Sequence, residues 1–139
     1  MNKVLFSSQN DVWSTPQDFF DQLNEEFQFT LGACALPENA KCALYFTPDI
    51  NGLVQDWSGH TVFVNPPYGK KISLWVEKCY NESRKDNTKI VMLIPARTDT
   101  VYFHRFIYKK VIEIRFVKGR LKFGNTSNSA PFPSMVVIF

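Results

Sequence analysis

A continuous apolar run, KIVMLIP at Lys89–Pro95, restricts the possible folds of this chain more than any other feature. A strand with one face in water alternates apolar and polar residues, whereas a strand covered on both faces is apolar throughout. The run therefore predicts a central, buried strand. A shorter apolar segment at residues 62–64 predicts a second buried strand of the same kind.

Helical periodicity flanks these strands. The residues Ile72, Trp75, Val76, Cys79 and Tyr80 recur at helical spacing and predict an amphipathic helix. An earlier helix is predicted to begin at Ser14-Thr15-Pro16 with a hydroxyl N-cap, and its apolar stripe consists of Phe19, Leu23 and Phe27. Further strands are predicted at residues 27–33, 42–46, 111–117, 121–123 and 135–139, and a short helix at residues 100–108. This alternation predicts an open α/β sheet in one domain of 139 residues.

Charge is divided unevenly along the chain. Residues 1–69 carry two cationic and eight acidic side chains, a net charge of −6, whereas residues 70–139 carry fourteen cationic and five acidic side chains, a net charge of +9. A basic half-chain indicates a polyanionic partner. The alternative is a surface that is merely uneven.

Composition excludes several other classes. The chain is 45% hydrophobic, which is typical of a folded domain, and has no apolar stretch long enough to span a membrane. Its N-terminus lacks the apolar core of a signal peptide. The three cysteines show no CxxC spacing, so we expect reduced thiols in a cytoplasmic protein and neither a disulfide framework nor a metal site.

The tetrapeptide Asn65-Pro66-Pro67-Tyr68 directly follows the second predicted strand. In open α/β sheets, ligands bind beyond the carboxyl ends of the strands. The Asn65 side-chain oxygen and the Pro66 carbonyl are two acceptors that can face the two hydrogens of an exocyclic amine, and the prolines restrict the backbone that aims them. The Tyr68 ring can stack on a base. The alternative is a turn that closes a strand, with Tyr68 as a packing residue.

The flanking blocks extend this motif over residues 10–139. The segments DVWSTPQDFFDQL, TLGACALPENAKC, YFTPDINGLVQDW, VFVNPPYGKKISLWV, MLIPARTDTVYFH, GRLKF and APFPSMVVIF resemble successive blocks of the phage-type DNA N6-adenine methyltransferases. The resemblance implies a Rossmann-like methyltransferase sheet with an antiparallel C-terminal hairpin. It also implies S-adenosylmethionine as the methyl donor and, as substrate, an adenine flipped out of duplex DNA. A protein of this family is expected in the cytoplasm of a bacterial host.

Position by position, the resemblance assigns a catalytic and a cofactor-binding group of residues. The catalytic group is Asn65, Pro66, Pro67 and Tyr68. The cofactor-binding group, which again includes Asn65, is Trp13, Thr15, Pro16, Gly32, Ala33, Cys34 and Asp56, with Glu38 or Asp49 as candidates for the ribose hydroxyls. Charge and the PARTDT block assign DNA contacts to Lys70, Lys71, Arg97, Asp99, His104 and Arg120.

Several of these residues have a structural alternative. Trp13 can be a core residue and Asp56 can cap a turn. Arg97 can be an ion-pair partner instead of a DNA contact. His104 lies near Asp99 in the sequence, but amine methylation needs no strong base before attack, so a structural or DNA-contact role is favoured for it.

One position departs from the family pattern: the family has Leu-Asp where this chain has Leu31-Gly32. An aspartate there would help to orient the methionine end of the cofactor, so Gly32→Asp is expected to tighten S-adenosylmethionine binding. The alternative function is a degenerate member that retains a DNA- or host-protein-binding surface but binds the cofactor weakly or not at all.

Two questions of substrate and assembly follow from the same residues. Enzymes that methylate glutamine side chains in proteins also use this tetrapeptide, although the basic half-chain favours nucleic acid. The chain has little room for a separate target-recognition domain. Specificity is therefore expected from the loops at 69–71, 97–104 and 124–133 or from an oligomer, and the alternative is relaxed specificity.

Overall fold

The computed structural model describes residues 12–124 and 128–139, which form a mixed α/β structure around a five-stranded sheet. The alternation of helices and strands predicted this class. The strands are β1 (Leu31–Gly32), β2 (Thr61–Val64), β3 (Lys89–Pro95), β4 (Glu113–Phe116) and β5 (Ser134–Ile138). Their spatial order is β1-β2-β3-β5-β4.

Strand direction places three carboxyl ends at one edge of the sheet. Strands β1, β2 and β3 are parallel neighbours. Strand β5 runs antiparallel to both β3 and β4, so β4 and β5 form the antiparallel C-terminal pair that the resemblance implied. Strand β3 is central, and its residues from Ile90 to Pro95 are all buried. The unbroken apolar run therefore predicted its position correctly.

Two helices cover the sheet, α1 (Gln17–Phe27) and α2 (Ile72–Ser83). Helix α1 buries Phe20 and Leu23, and the Phe20 ring lies 5.0 Å from that of Phe63 on β2. Helix α2 packs against β3 and buries four of the five apolar positions that its periodicity predicted, whereas Tyr80 is half-buried. No helix in the two described ranges combines the length and apolar character needed to cross a bilayer.

The predicted hydroxyl N-cap of the first helix is wrong. Helix α1 begins at Gln17 after Pro16, and no side chain at the cap position bonds to its backbone. The Asp18 carboxylate instead accepts from the N–H of Phe19 at 2.8 Å. The Thr15 hydroxyl, which could have capped the helix, accepts a hydrogen bond from the side chain of Asn65, fifty residues away. A tertiary contact has therefore replaced a local one.

Three predicted strands are shorter or absent. Within residues 27–33 only Leu31–Gly32 is a strand, because α1 continues to Phe27 and the Asn24 side chain holds the next turn. Within residues 42–46 only Tyr45 forms a bridge, to Gly32. Residues 121–123 form no strand; the Phe123 side chain instead enters the core against aromatic rings.

The remaining elements lie close to their predicted places. The segment predicted as a helix at 100–108 contains a helical turn followed by a π-helix, Phe103–Ile107. The strand predicted at 111–117 is Glu113–Phe116, and the one predicted at 135–139 is Ser134–Ile138. The predicted loop at 124–133 lies in part outside the described residues, since residues 125–127 are not among them.

Candidate active site

The residues of the tetrapeptide lie at the carboxyl edge of the sheet. Asn65 immediately follows β2, Ala96 and Arg97 follow β3, and Ala33 follows β1. Parallel strands bring these three positions to one edge, which is where ligands bind in open α/β sheets. Pro66 is buried and Pro67 is half-buried, and both peptide bonds are trans.

The carboxamide of Asn65 is held on both sides. Its Nδ2 atom donates to the backbone carbonyl of Trp13 and, at 2.8 Å, to Oγ1 of Thr15. Its Oδ1 atom accepts from the hydroxyl of Tyr68 at 2.8 Å. An amide oxygen has two lone pairs, so Oδ1 retains one acceptor site for another donor.

Tyr68 is packed into the structure more deeply than a free stacking platform would be. Its side chain is 6% exposed, and its ring meets those of Phe123 and Phe132 nearly at right angles. Its single hydroxyl hydrogen is shared between Asn65 Oδ1 at 2.8 Å and the more distant Leu93 carbonyl at 3.1 Å. Burial raises the pKa of this hydroxyl well above its ordinary value, so it acts as a hydrogen-bond donor at neutral pH. Base stacking on Tyr68 stays a prediction.

A cavity of about 450 Å³ opens beside these groups. It lies between the segment after β2, the segment after β3 and the loop before β5. Its lining is largely aromatic and aliphatic, with a few polar groups, as is typical of small-molecule sites. The residues that line it are Trp13, Tyr68, Gly69, Ile72, Pro95, Arg97, Thr100, Tyr102, Pro131 and Phe132.

Tyr102 is a residue of this cavity that the sequence did not single out. Its side chain is 7% exposed, and its hydroxyl completes no hydrogen bond with the described residues, although Thr100 lies near it. Burial raises its pKa. An aromatic residue at a helical position is usually a core residue, so its sequence carried no signal for the site.

The end of β1 adjoins Asn65. The backbone N–H of Asn65 contacts the Cys34 thiol, and burial raises the pKa of that thiol to about 12. Cys34 is therefore a neutral thiol at physiological pH and a poor nucleophile. The N–H of Ala33 bonds to the Phe63 carbonyl at 3.1 Å. The structure thus brings Ala33 and Cys34 close to the Asn65–Tyr68 tetrapeptide, and their contact with the cofactor stays a prediction.

Gly32 lies inside the sheet and is buried. A Cβ atom at this position would meet the Cβ of Tyr45 at 3.5 Å and the Cβ of Cys42 at 3.8 Å, which is ordinary van der Waals contact. The position therefore has room for the first atom of a side chain.

Gly52 is a second residue that the sequence analysis missed. A Cβ atom here would lie 2.1 Å from the carbonyl oxygen of Ala33, a distance that no side chain tolerates. The absence of a side chain lets the turn at residues 47–52 approach the end of β1. The signal was present in the sequence, because a glycine beside Asn51 in a polar segment marks a close approach or a turn.

Asp56 does not join this cluster. It precedes β2, at the opposite edge of the sheet, where its carboxylate accepts from the N–H and hydroxyl of Ser58, both at 2.9 Å, and from Lys85 at 3.0 Å. These hydrogen bonds, led by that of the Ser58 backbone, hold its pKa well below the ordinary value. This geometry matches the alternative in which Asp56 caps a turn, and it offers no contact to the groups around Asn65.

The aromatic segment before α1 bridges several parts of the site. The Trp13 ring lies 5.5 Å from Phe123 and 5.2 Å from Phe132, and it also lines the cavity. Trp13 is therefore both a packing residue and a wall of the site. Pro16 lies outside it, beside a second, smaller depression of about 210 Å³ that it shares with Arg120.

The predicted DNA contacts divide into two sets. Arg97 lines the cavity, and Lys70 and Lys71 are exposed immediately after Gly69, another lining residue. Gly69 has φ 125°, a backbone conformation that side chains rarely adopt, and this lets the chain turn away towards α2. The other set does not line the cavity: Asp99 and His104 are exposed, although Asp99 directly precedes the lining residue Thr100, and Arg120 lies at the second depression.

The His104–Asp99 pairing that the sequence raised is not formed. The His104 ring pairs through Nε2 with the Thr98 carbonyl at 2.8 Å and contacts the rings of Phe103 and Tyr108. These contacts agree with a structural role. Among residues 12–124 and 128–139, no cluster of three histidine, cysteine or carboxylate side chains is arranged to hold a metal ion.

Comparison with known proteins identifies the family. The chain is 28% identical to a DNA N-6-adenine-methyltransferase of Haemophilus phage HP1, in a match that covers 95% of this chain and 80% of that protein. It is 33% identical to a DNA N-6-adenine-methyltransferase of Escherichia phage T1, over 67% of this chain and 39% of that protein. The model of the family described as DNA N-6-adenine-methyltransferase (Dam) matches residues 3–139. The chain therefore belongs to the DNA N-6-adenine-methyltransferase (Dam) family.

Proposed function

We propose that this protein transfers a methyl group from S-adenosylmethionine to the N6 amine of an adenine flipped out of duplex DNA. The observation that carries the proposal is the Asn65 carboxamide, which is fixed by three hydrogen bonds beside a cavity at the carboxyl edge of the sheet. Family membership supplies the reaction class, and the local geometry supports the role of each residue.

Asn65 and Pro66 supply the acceptors for the amine. The adenine N6 lone pair is delocalised into the ring, so the amine must pyramidalise before it can attack. The free lone pair on Asn65 Oδ1 and the backbone carbonyl of Pro66 would each accept one N6 hydrogen and favour that geometry. A bound S-adenosylmethionine would supply an electrophilic methyl, whose bond to sulfur would break as its bond to N6 formed. A proton then leaves N6 for water.

The cavity beside Asn65 is proposed as the site of the flipped base. Its aromatic lining can exclude water from the base faces, and the rings of Tyr68 and Trp13 are candidates for stacking. Arg97 at its rim is placed to contact a phosphate or a base edge. A base inside a duplex cannot reach such a cavity, so the proposal requires flipping.

The residues at the end of β1 fit a cationic, hydroxyl-bearing cofactor. The neutral Cys34 thiol beside Asn65 does not compete for a methyl group. Glu38 and Asp49 are exposed carboxylates that make no hydrogen bond or ion pair with the described residues, so both are available to ribose hydroxyls. Ala33 and Cys34 would contact the methionine end. Asp56 is left out of the proposed cofactor site.

DNA binding is proposed at the carboxyl edge of the sheet. Lys70 and Lys71 are exposed there next to the cavity, and Arg97 lies at its rim. Within these 139 residues we propose a single methyltransferase domain in which short loops read the target sequence.

The experiment is incubation of the purified protein with S-adenosylmethionine labelled in its methyl group and with unmethylated DNA, RNA or protein extract in parallel. We expect label in DNA alone. Label in protein would instead support a glutamine methyltransferase. No label in any substrate, together with salt-sensitive DNA binding, would establish the degenerate alternative and overturn the proposal.

A further inference from the structure

The amide of Asn65 has one orientation that the surrounding groups allow. One neighbour of its Nδ2 atom is the Trp13 backbone carbonyl, which can only accept a hydrogen bond. Rotating the amide by half a turn would place Oδ1 against that carbonyl, so that two acceptors faced each other without a hydrogen. The Trp13 carbonyl therefore determines which end of the amide carries the oxygen.

The Thr15 hydroxyl acts at the same end. It lies 2.8 Å from Asn65 Nδ2, and its side chain is only 4% exposed. Water cannot readily take its place, so loss of this hydroxyl would leave one amide hydrogen without a partner. On the opposite side, the Tyr68 hydroxyl holds Oδ1.

The segment that carries these groups is itself anchored. The Trp13 ring packs edge-on against Phe123 and Phe132. The Ser14 carbonyl accepts from the N–H of Gly124 at 2.8 Å. Residues 13–15 are therefore anchored to the aromatic wall of the cavity. This anchoring fixes the positions of the Trp13 carbonyl and the Thr15 hydroxyl, which in turn fix the side chain of Asn65.

We propose that the Trp13 carbonyl and the Thr15 hydroxyl are positioning groups that turn Asn65 Oδ1 towards the substrate amine, and that this chain for that reason requires asparagine and not aspartate at position 65. The proposal rests on the proposed function and gives Thr15 a role other than cofactor contact. An aspartate has the same shape but donates no hydrogen bond when ionised, so it would set an anionic oxygen against the Trp13 carbonyl.

The first test compares Thr15→Val, which keeps the shape and removes the hydroxyl, with Thr15→Ser, which restores it. We expect Thr15→Val to lower kcat by about tenfold, since a misplaced acceptor weakens transition-state stabilisation. The KM for DNA and the calorimetric Kd for S-adenosylmethionine should stay within about twofold. Thr15→Ser should recover most of the rate. A Thr15→Val enzyme with wild-type kcat, or one impaired only in cofactor Kd, would overturn the proposal.

A matched control is Thr88→Val. The Thr88 hydroxyl also makes hydrogen bonds, to the Gly59 N–H and the Asp86 carbonyl, but at the opposite edge of the sheet. The Thr88→Val variant should leave kcat unchanged even if stability falls. It therefore separates the effect of losing the Asn65 contact from the effect of losing a hydroxyl in general. A fall in kcat as large as that of Thr15→Val would count against the proposal.

The second test is the pH profile of Asn65→Asp. A protonated aspartate can donate to the Trp13 carbonyl and an ionised one cannot, so the residual rate of this variant should rise as pH falls, whereas the wild-type rate should not. A variant as active as wild type with an unchanged profile would contradict the requirement for asparagine. The Asn65→Ala variant distinguishes failure of the proposed function from failure of the positioning proposal. Full activity in Asn65→Ala would refute the proposed function. An inactive Asn65→Ala together with a Thr15→Val enzyme of wild-type activity would refute the positioning proposal alone.

Discussion

At the scale of single residues, Gly32 occupies the position where the resemblance leads us to expect an aspartate. The surrounding atoms leave room for a Cβ, yet the neighbours on that side are Tyr45 and Cys42, and neither brings a charge. A carboxylate at this position must therefore find its partner in the cofactor or in the loop after β1, because a buried charge without a partner is costly.

We expect Gly32→Asp to tighten S-adenosylmethionine binding by about ten- to a hundredfold, the value of one hydrogen bond to a charged group. Isothermal calorimetry on the purified variant measures this directly. Gly32→Ala is the control, because it adds the Cβ and removes backbone freedom without adding a charge. Equal dissociation constants for Gly32→Asp and the wild type would show that the loop after β1 does not hold the methionine end of the cofactor.

Some residues of the site could be predicted and others could not. Asn65 to Tyr68 were found because a strand that ends in a distinctive tetrapeptide carries its own local signal. The contact of Asn65 with Thr15 joins residues fifty positions apart, and the local sequence pattern of neither segment predicts it. The role of Asp56 was open for a similar reason: an acid before a tryptophan looks the same whether it faces a ligand or closes a turn, and in the structure it closes a turn with Ser58.

At the scale of elements, one buried carboxylate joins α2 to the segment that precedes β2. Glu82 on α2 is 4% exposed and accepts from the backbone N–H of Trp57 at 2.6 Å. Lys85 and Lys78 lie 2.7 and 3.3 Å from its other oxygen. Burial favours a higher pKa for Glu82, but the hydrogen bonds from Lys85 and Trp57 outweigh it and hold the pKa below the ordinary value.

Because its folded-state pKa is lowered, Glu82 stabilises the fold fully above its unfolded pKa of about 4.3 and loses that contribution as pH falls through the folded value. We expect Glu82→Gln to lower the free energy of unfolding at neutral pH by about 1–3 kcal/mol. The difference from wild type should shrink below about pH 4. Urea unfolding at both pH values measures it, and Glu77→Gln, an exposed change on the same helix, should have little effect. An equal difference in the free energy of unfolding between wild type and Glu82→Gln at both pH values would contradict this role of Glu82.

Elements with a strong apolar pattern were predicted well. Strand β3 and helix α2 each have a pattern that continues over seven or more residues, and their positions were correct. The short segments at 121–123 and 42–46 were wrong because a few apolar residues also suit a loop that places one ring in the core. Phe123 does this, since its ring packs among Trp13, Tyr68 and Phe132.

At the scale of the whole molecule, charge and topology together predict which edge of the sheet binds DNA. The basic half of the chain begins at Lys70, at the carboxyl edge of the sheet. Lys109 and Lys110, by contrast, precede β4, which runs parallel to β3, so they lie towards the amino edge. The two lysine pairs carry the same charge at opposite edges and form a matched comparison.

Replacing Lys70 and Lys71 by glutamine should flatten the dependence of DNA affinity on salt, by about one unit of logarithmic slope for each phosphate that the lysines no longer neutralise. Replacing Lys109 and Lys110 should change the slope much less, although the net charge falls equally. Binding titrations over a range of salt concentrations give both slopes. If the two double variants behave alike, the carboxyl edge is not the DNA face.

The activity proposed for the molecule as a whole is methyl transfer to the N6 amine of adenine in DNA, and the proposal assigns the positioning of that amine to Asn65. Its most direct test is mass spectrometry of nucleosides from DNA treated with the wild-type protein or with Asn65→Ala, each with S-adenosylmethionine. We expect N6-methyladenine from the wild type and a rate at least about a hundredfold lower from the variant, because one fixed acceptor is removed. Circular dichroism should show that the variant remains folded, so that its loss of activity is not a loss of structure. Full activity in Asn65→Ala, or methylation by the wild type at any other base, would contradict the proposed function.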